Sequence, residues 1–333
     1  DAVLDWLFDQ RELVIRNGVL RWTDEQRDVE PLVLSGFNLV ARNTTRRHGL
    51  RVDATLPDGP GGRPVTLVAQ FREPLLALQK SSWRRWDGRV YAATERVDVA
   101  RLRRYVHLGS HQVAGDGALR AWLDVRQGQW ENVTADLALA HVQARLGEDL
   151  APMQLTALTG RLGLNRLSDG YEFFTERLHF RADDGREWPG GNVRVMWRQP
   201  AAQGLAHGEV RADRLDLQAL SHIAGQLPLG PAVHEALRTY APAGLVETLD
   251  LRWDGHPDTL AWERFTARGK VAGLSLAPGT VDPQAPVGRP ARPGVIGAGV
   301  DFELTQAGGR ARLGMAKGTL YFPGVFEDAT VPV

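Results

Sequence analysis

Leu119-Arg120-Ala121-Trp122-Leu123-Asp124-Val125-Arg126, with Val133-Thr134-Ala135-Asp136-Leu137-Ala138-Leu139 just beyond it, decides the fold class of this chain. In the first stretch Leu119, Ala121, Leu123 and Val125 fall on one side of an extended backbone, while Arg120, Asp124 and Arg126 fall on the other. Successive side chains of a strand point to opposite faces, so this is the period-two signature of a sheet with one dry and one wet face. A helix would instead repeat its apolar residues every three or four positions. Working outward, Leu50, Val52, Ala54 and Leu56 alternate with Arg51, Asp53 and Thr55, and Val65, Leu67, Ala69 and Phe71 repeat the pattern. Further strands are predicted at 171–181, 192–198, 208–214, 245–253, 262–276, 299–305 and 310–322. Asn17-Gly18, between Glu12–Arg16 and Val19–Trp22, predicts a tight hairpin, because both residues accept the positive φ that such a turn demands.

Helix signals are few. Asp1–Asp9 forms a short amphipathic stretch with Leu4, Leu7 and Phe8 on one side. Asp98 is placed to cap a helix carrying Val99, Leu102 and Val106, and Asp216 one carrying Leu217, Leu220 and Ile223. Pro231 suits the first turn of a third helix, with Val233, Ala236, Leu237 and Tyr240 inward and Gly244 beyond its end. Pro57–Pro64 and Pro278–Gly294 read as exposed loops.

These counts pose a physical problem. About sixteen one-sided strands cannot be covered by three or four short helices, yet an apolar face must be buried against something. The sheet must fold into a sandwich, close into a barrel, or curl into an open trough whose lining meets a ligand.

An internal repeat shows how the strands are organised. Glu95–Leu102 (ERVDVARL) and Asp213–Leu220 (DRLDLQAL) each follow a strand opening Gly-x-Val, at Gly88 and Gly208. Each leads to a strand of shared pattern, WLDVR at Trp122–Arg126 and TLDLR at Thr248–Arg252. The offset of roughly 118 to 126 residues is too long for a small solenoid repeat and marks a module of several strands with one edge helix. The expected division is a first module over 1–115, a second over 116–243 and a partial third over 244–333, joined in one elongated sheet.

Composition removes several function classes. The chain has 333 residues, 40 Lys plus Arg, 40 Asp plus Glu and no cysteine. Zero net charge disfavours nucleic-acid binding, which needs a basic face. The absence of cysteine excludes thiol catalysis, cysteine-ligated zinc, iron–sulfur clusters and disulfides. No apolar run is long enough to span a membrane as a helix. The chain starts at Asp1 with no signal-peptide pattern and reads as a segment of something longer.

Searches for chemistry find none. There is no nucleophile elbow, phosphate loop or dinucleotide fingerprint. The nine histidines are scattered; the closest pair, His107 and His111, has no carboxylate cluster near it. The acidic pairs Glu148-Asp149 and Asp183-Asp184 fall in turns. The reading is of a non-enzymatic protein without cofactor or metal. Ten tryptophans is a high count, and Trp22, Trp86, Trp122, Trp130, Trp197 and Trp253 sit near strand ends, as packing residues or as amphipathic rings at the lip of a lipid groove.

Several short motifs, taken in order, resemble the YhdP branch of the AsmA-like family of bacterial envelope proteins. They are Asp5-Trp6-Leu7, Leu13–Ile15, Asn17-Gly18 and Leu20-Arg21-Trp22-Thr23-Asp24-Glu25, then Leu32, Leu34 and Leu39 before Arg47-His48. Trp86–Ala92 (WDGRVYA) runs into Val97-Asp98-Val99, followed by Gly160-Arg161-Leu162-Gly163, Arg211–Leu217 (RADRLDL), Leu251-Arg252-Trp253 and Pro323-Gly324-Val325-Phe326. The resemblance covers nearly the whole chain, except the helix at 231–240 and the loop at 278–294. It implies an all-β, mainly antiparallel sheet curled into an open hydrophobic groove of repeated modules. It also implies a bridge-like lipid carrier anchored in the inner membrane, extending through the periplasm and moving phospholipid towards the outer membrane. Its partners would be phospholipid acyl chains, adjoining segments of the same longer chain and envelope membrane proteins. No catalytic residues are carried over.

On this reading the groove lining is Leu50, Val52, Leu56, Val65, Leu67, Phe71, Leu119, Leu123, Val125, Leu137 and Leu139. Two competitors stand beside it: a closed β scaffold that binds proteins and carries no lipid, and a glycan-active module, which would need carboxylates and aromatics to converge in one cleft.

Overall fold

The computed structural model describes residues 2–23, 31–56, 63–74, 85–101, 112–199, 205–255, 264–280, 290–325 and 330–332. Leu102 and Val106 of the Asp98 helix, loop residues 57–62 and 281–289, and His107, His111 and His256 lie outside the described residues. The fold is mainly antiparallel β, its strands hydrogen-bonded in an open sheet that is not closed into a barrel. The chain divides into two units, Asp1–Ala144 with Gln154–Leu167, and Arg145–Met153 with Ser168–Val333.

The first unit opens with helix α1 (Ala2–Asp9), as the amphipathic start predicts. Its strands are β1 (Glu12–Trp22), β2 (Leu32–Asn43), β3 (Arg47–Leu56), β4 (Arg63–Arg72), β5 (Asp87–Asp98), β6 (Gln112–Arg126), β7 (Gln129–Arg145) and β8 (Met153–Arg166). Neighbours in sequence pair antiparallel from β1 to β6. The Arg161–Asp136 pair sets β8 beside β7, and the His141–Asp116 pair sets β7 beside β6.

The second unit contains β9 (Gly170–Ala182), β10 (Glu187–Pro189), β11 (Asn192–Arg198), β12 (His207–Asp213), β13 (Leu215–Asp216), β14 (Ala243–Asp254), β15 (Arg264–Leu276), β16 (Gly294–Thr305), β17 (Gly308–Gly314), β18 (Thr319–Tyr321) and β19 (Thr330–Pro332). Here β9 pairs with both β10 and β11, β14 with both β12 and β13, and β16 with both β17 and β18. Each such pair is one long strand interrupted midway. The strand expected at 310–322 is thus two strands, parted at Met315–Gly318. Helices α2 (Leu217–Ile223) and α3 (Pro231–Tyr240) lie between β13 and β14. Asp216 caps α2 by accepting from the Ala219 amide at 2.9 Å, and Asp98 accepts from the Arg101 amide at 3.1 Å. The two sequence-repeat copies therefore share one strand-to-helix device. Pro231 occupies the first turn of α3 as predicted. Its end is set by Ala241 in the left-handed region, while Gly244 belongs to β14.

One prediction is corrected. Asn17-Gly18 makes no hairpin; β1 runs unbroken through it. Asn17 takes φ 51° as a bulge, and its amide donates to Asn38 Oδ1 at 3.0 Å. The register with β2 shifts between Ile15 and Leu20. The same residue chemistry that permits a turn permits a bulge, which bends a strand and increases its twist. The second unit repeats the device at Arg177, φ 49°, whose amide donates to Asn192 Oδ1 at 3.0 Å.

Candidate functional site

Register assembles one continuous apolar face in the first unit. Leu50 stands opposite Ala69, Val52 opposite Leu67, and Ala54 opposite Val65. Val65, Leu67, Ala69 and Phe71 stand opposite Thr94, Ala92, Val90 and Gly88. Leu119, Leu123 and Val125 then stand opposite Thr94, Val90 and Gly88. Leu56, two residues beyond Ala54, shares this face by alternation. Asn132 bonds Asp124, and Asp136 pairs with Arg161, whose guanidinium lies over Trp122. These contacts put Asn132 and Asp136 on the charged side, and hence Leu137 and Leu139 on the apolar side. The structure therefore brings all eleven predicted lining residues to one face.

Among the described residues no second layer is built over that face. Of the eleven, only Leu139 is buried; the other ten are half-buried. Among the described residues no large side chain is fully buried. Apart from Phe37 and the small Ala54 and Ala69 of the floor itself, the first unit's buried side chains gather towards the strand ends. Leu7, Ala41, His48 and Trp86 lie at one end and Val97, Val99, Leu139 and Val142 at the other. Between them runs an apolar floor with residual access to solvent.

The second unit has the same construction, which the predicted lining omitted. Phe173, Val195, Val210, Leu251, Ala267 and Leu304 form one row in register across six strands. Phe173 is 42% exposed and Leu304 41%. Alternation in Val193-Arg194-Val195 and Leu249-Asp250-Leu251 carried this signal in the sequence. Towards one end Tyr171, Trp197, Gly208, Trp253 and Phe265 align in a second row. A Cβ on Gly208 would meet the Trp253 ring at 2.1 Å, and one on Gly88 would meet the Phe71 ring at 2.2 Å. At the Gly-x-Val of both repeat copies, then, an aromatic ring of the neighbouring strand lies over a glycine. Only glycine permits that approach.

The opposite face is charged and internally paired. In the first unit Arg51 and Thr66 bond Asp53, and Arg89 and Asn132 bond Asp124. These bonds, the arginine's first, hold the Asp53 and Asp124 carboxyls below the usual carboxylate range. In the second unit Arg194 pairs with Glu172 at 2.8 Å, Arg211 with Glu209 and Asp250, and Arg310 with Glu303 at 2.8 Å. Exposed pairs of this kind add little to stability, because water and salt screen them. Their larger effect is on which face can turn to water, because burying unpaired charge costs far more. A depression of about 500 Å³ on this side is bordered by Phe174, Arg194 and Arg211 on one flank and Glu176, Asn192 and Asp213 on the other. Arg194 and Arg211 already face carboxylates, and Asn192 is bonded to Asp213 at 2.9 Å.

Among the described residues, no three His, Asp or Glu side chains gather as metal ligands, and no helix is long and apolar enough to cross a membrane. A family model described as YhdP protein matches residues 1–333. The chain belongs to the YhdP family. No curated protein matches it, and no solved structure does. For a YhdP chain, the candidate site is thus an extended apolar face, with no metal-ligand cluster among the described residues.

Proposed function

We propose that this YhdP segment shields phospholipid acyl chains on the apolar face of its sheet, as part of a lipid-transfer protein reaching between inner and outer membrane. The observation that carries the reading is the two-faced sheet, whose apolar floor stays half-exposed among the described residues while its other face is paired and wet. An exposed apolar surface of this extent marks a place where another apolar body sits. Burying one methylene is worth about 0.8 kcal/mol, so a sixteen-carbon chain offers on the order of 12 kcal/mol if fully enclosed. One-sided contact recovers part of that, which suits a conduit: chains enter favourably and still leave. The protein acts without catalysis, its head-group preference is low, and it works in the periplasm.

The test is to purify the chain without detergent, extract it with organic solvent and analyse the extract by mass spectrometry. Near-stoichiometric phospholipid is expected in the wild type, with marked depletion in Leu123→Glu. A folded, lipid-free wild type would favour the protein-binding scaffold.

A further inference from the structure

The first unit holds a feature that shielding does not use: a buried histidine beneath helix α1. His48, on β3, is 5% exposed. Its ring stacks on Trp86 at 3.9 Å and 11°, with Phe8 of α1 edge-on at 5.6 Å. Phe8 also packs edge-on to Phe71 and Trp86, at 6.4 and 4.9 Å. Helix α1 is thus seated on the aromatic end of the apolar face, with Leu7 buried.

Asn43 ties the helix to the histidine. Its Nδ2 donates to the Leu7 carbonyl at 3.0 Å and the Gln10 carbonyl at 2.7 Å, two acceptors at the C-terminal end of α1. With the amide nitrogen so used, its oxygen faces His48 Nδ1 at 3.2 Å and accepts from it. The neutral ring therefore carries its proton on Nδ1. The bare Nε2 is buried, has no hydrogen-bond partner among the described residues, and lies 3.4 Å from Glu73 Oε1. It is an unfilled proton site under the helix. Charged groups on the surrounding segments are Asp9 at the end of α1, Arg46 in the β2–β3 turn, Glu73 after β4, and Arg85 and Asp87 beside Trp86. Of these, Glu73 would be the ion-pair partner of His48 once Nε2 is protonated, and Arg46 Nη2 donates to the Glu73 carbonyl at 3.1 Å.

We infer that α1 is a proton-controlled cap, held over the Phe71–Trp86 end of the apolar face while His48 is neutral and released when Nε2 takes a proton. The sign follows from solvation. With α1 seated, burial is the largest influence on the ring and keeps its pKa below the ordinary histidine value, against the opposing pull of Glu73. Unseating α1 returns water to the ring and leaves Glu73 in place, so the ring is more basic in the open state. Linkage then makes acid favour the open state, and the contribution to docking present at neutral pH is lost as pH falls. Release would uncover Phe8, Phe71 and Trp86 together.

The test follows amide exchange in α1 of the full 333-residue chain between pH 8 and 5, corrected for intrinsic rates, and the His48 ring by NMR. Protection in α1 is expected to fall with acidity by up to about tenfold per pH unit between the closed and open pKa values. Glu73→Gln removes the group that favours the charged ring, so the release midpoint should move to lower pH. Phe8→Ala unseats the helix, so the His48 pKa should rise. Protection that is independent of pH, or a His48 pKa that Phe8→Ala leaves unmoved, overturns the inference. A midpoint moved upward by Glu73→Gln overturns it equally. None of these readings depends on lipid.

Discussion

The aromatic ends of the two units solve one packing problem with different amounts of structure. In the second unit Trp253 is laid over Gly208, and Tyr171, Trp197 and Phe265 continue the row across the strands. In the first, Phe71 is laid over Gly88, and Trp86, His48, Asn43 and helix α1 are built on top. The shared part is a glycine and a ring; the added part is polar and titratable. The glycine-and-ring pair thus belongs to the repeated scaffold, while the helix and the buried histidine are, among the described residues, an addition in the first unit.

Truncating the ring at the heart of the larger assembly should do most damage. Trp86 is 4% exposed and touches Phe8, His48 and Phe71, so Trp86→Ala should cost about 3–5 kcal/mol, read by denaturant unfolding. A cost under about 1 kcal/mol would show that the assembly is decoration. Next comes the shared part. Gly208→Ala and Gly88→Ala each push a methyl into an aromatic ring, and each should cost about 1–3 kcal/mol. Similar losses in the two units would support a common scaffold; a large loss in one alone would break the comparison. Asn192→Ala leaves the Arg177 bulge amide without its acceptor and should cost about 1 kcal/mol, with Asn38→Ala as its counterpart at Asn17. The smallest effect belongs to the charged face, where Arg194→Ala should change stability by less than about 1 kcal/mol and leave lipid content unchanged.

Much of the fold was legible in the sequence because its signal is local. Period-two alternation marked the strands and their apolar face from Leu50 to Leu139, and Asp98 and Asp216 cap helices where their spacing predicts. What failed had a non-local cause. Asn17-Gly18 reads as a turn in isolation; the Asn38 side chain on the next strand makes it a bulge. The breaks at Gly190-Gly191, Arg214 and Met315–Gly318 likewise split long strands where the partner strand continues unbroken. The second unit's own apolar face was missed although its alternation was visible, since one-strand patterns do not reveal that Phe173, Val195, Val210 and Leu251 stand in one row. His48 entered only through the Arg47-His48 motif, and its burial was not legible because it depends on α1, Trp86 and Glu73 arriving from three separate segments.

The central claim is that one face of this sheet carries acyl chains and the other meets water. Leu123 and Asp124 are neighbours on β6 and point to opposite faces, Leu123 beside Val90 and Asp124 beside Arg89. A photo-crosslinking phenylalanine analogue placed at each position in turn, irradiated in cells and analysed by mass spectrometry, separates the two faces directly. Phospholipid adducts at position 123 and none at 124 are the expected result. Adducts at both positions, or none at 123 with protein adducts in their place, would contradict the account.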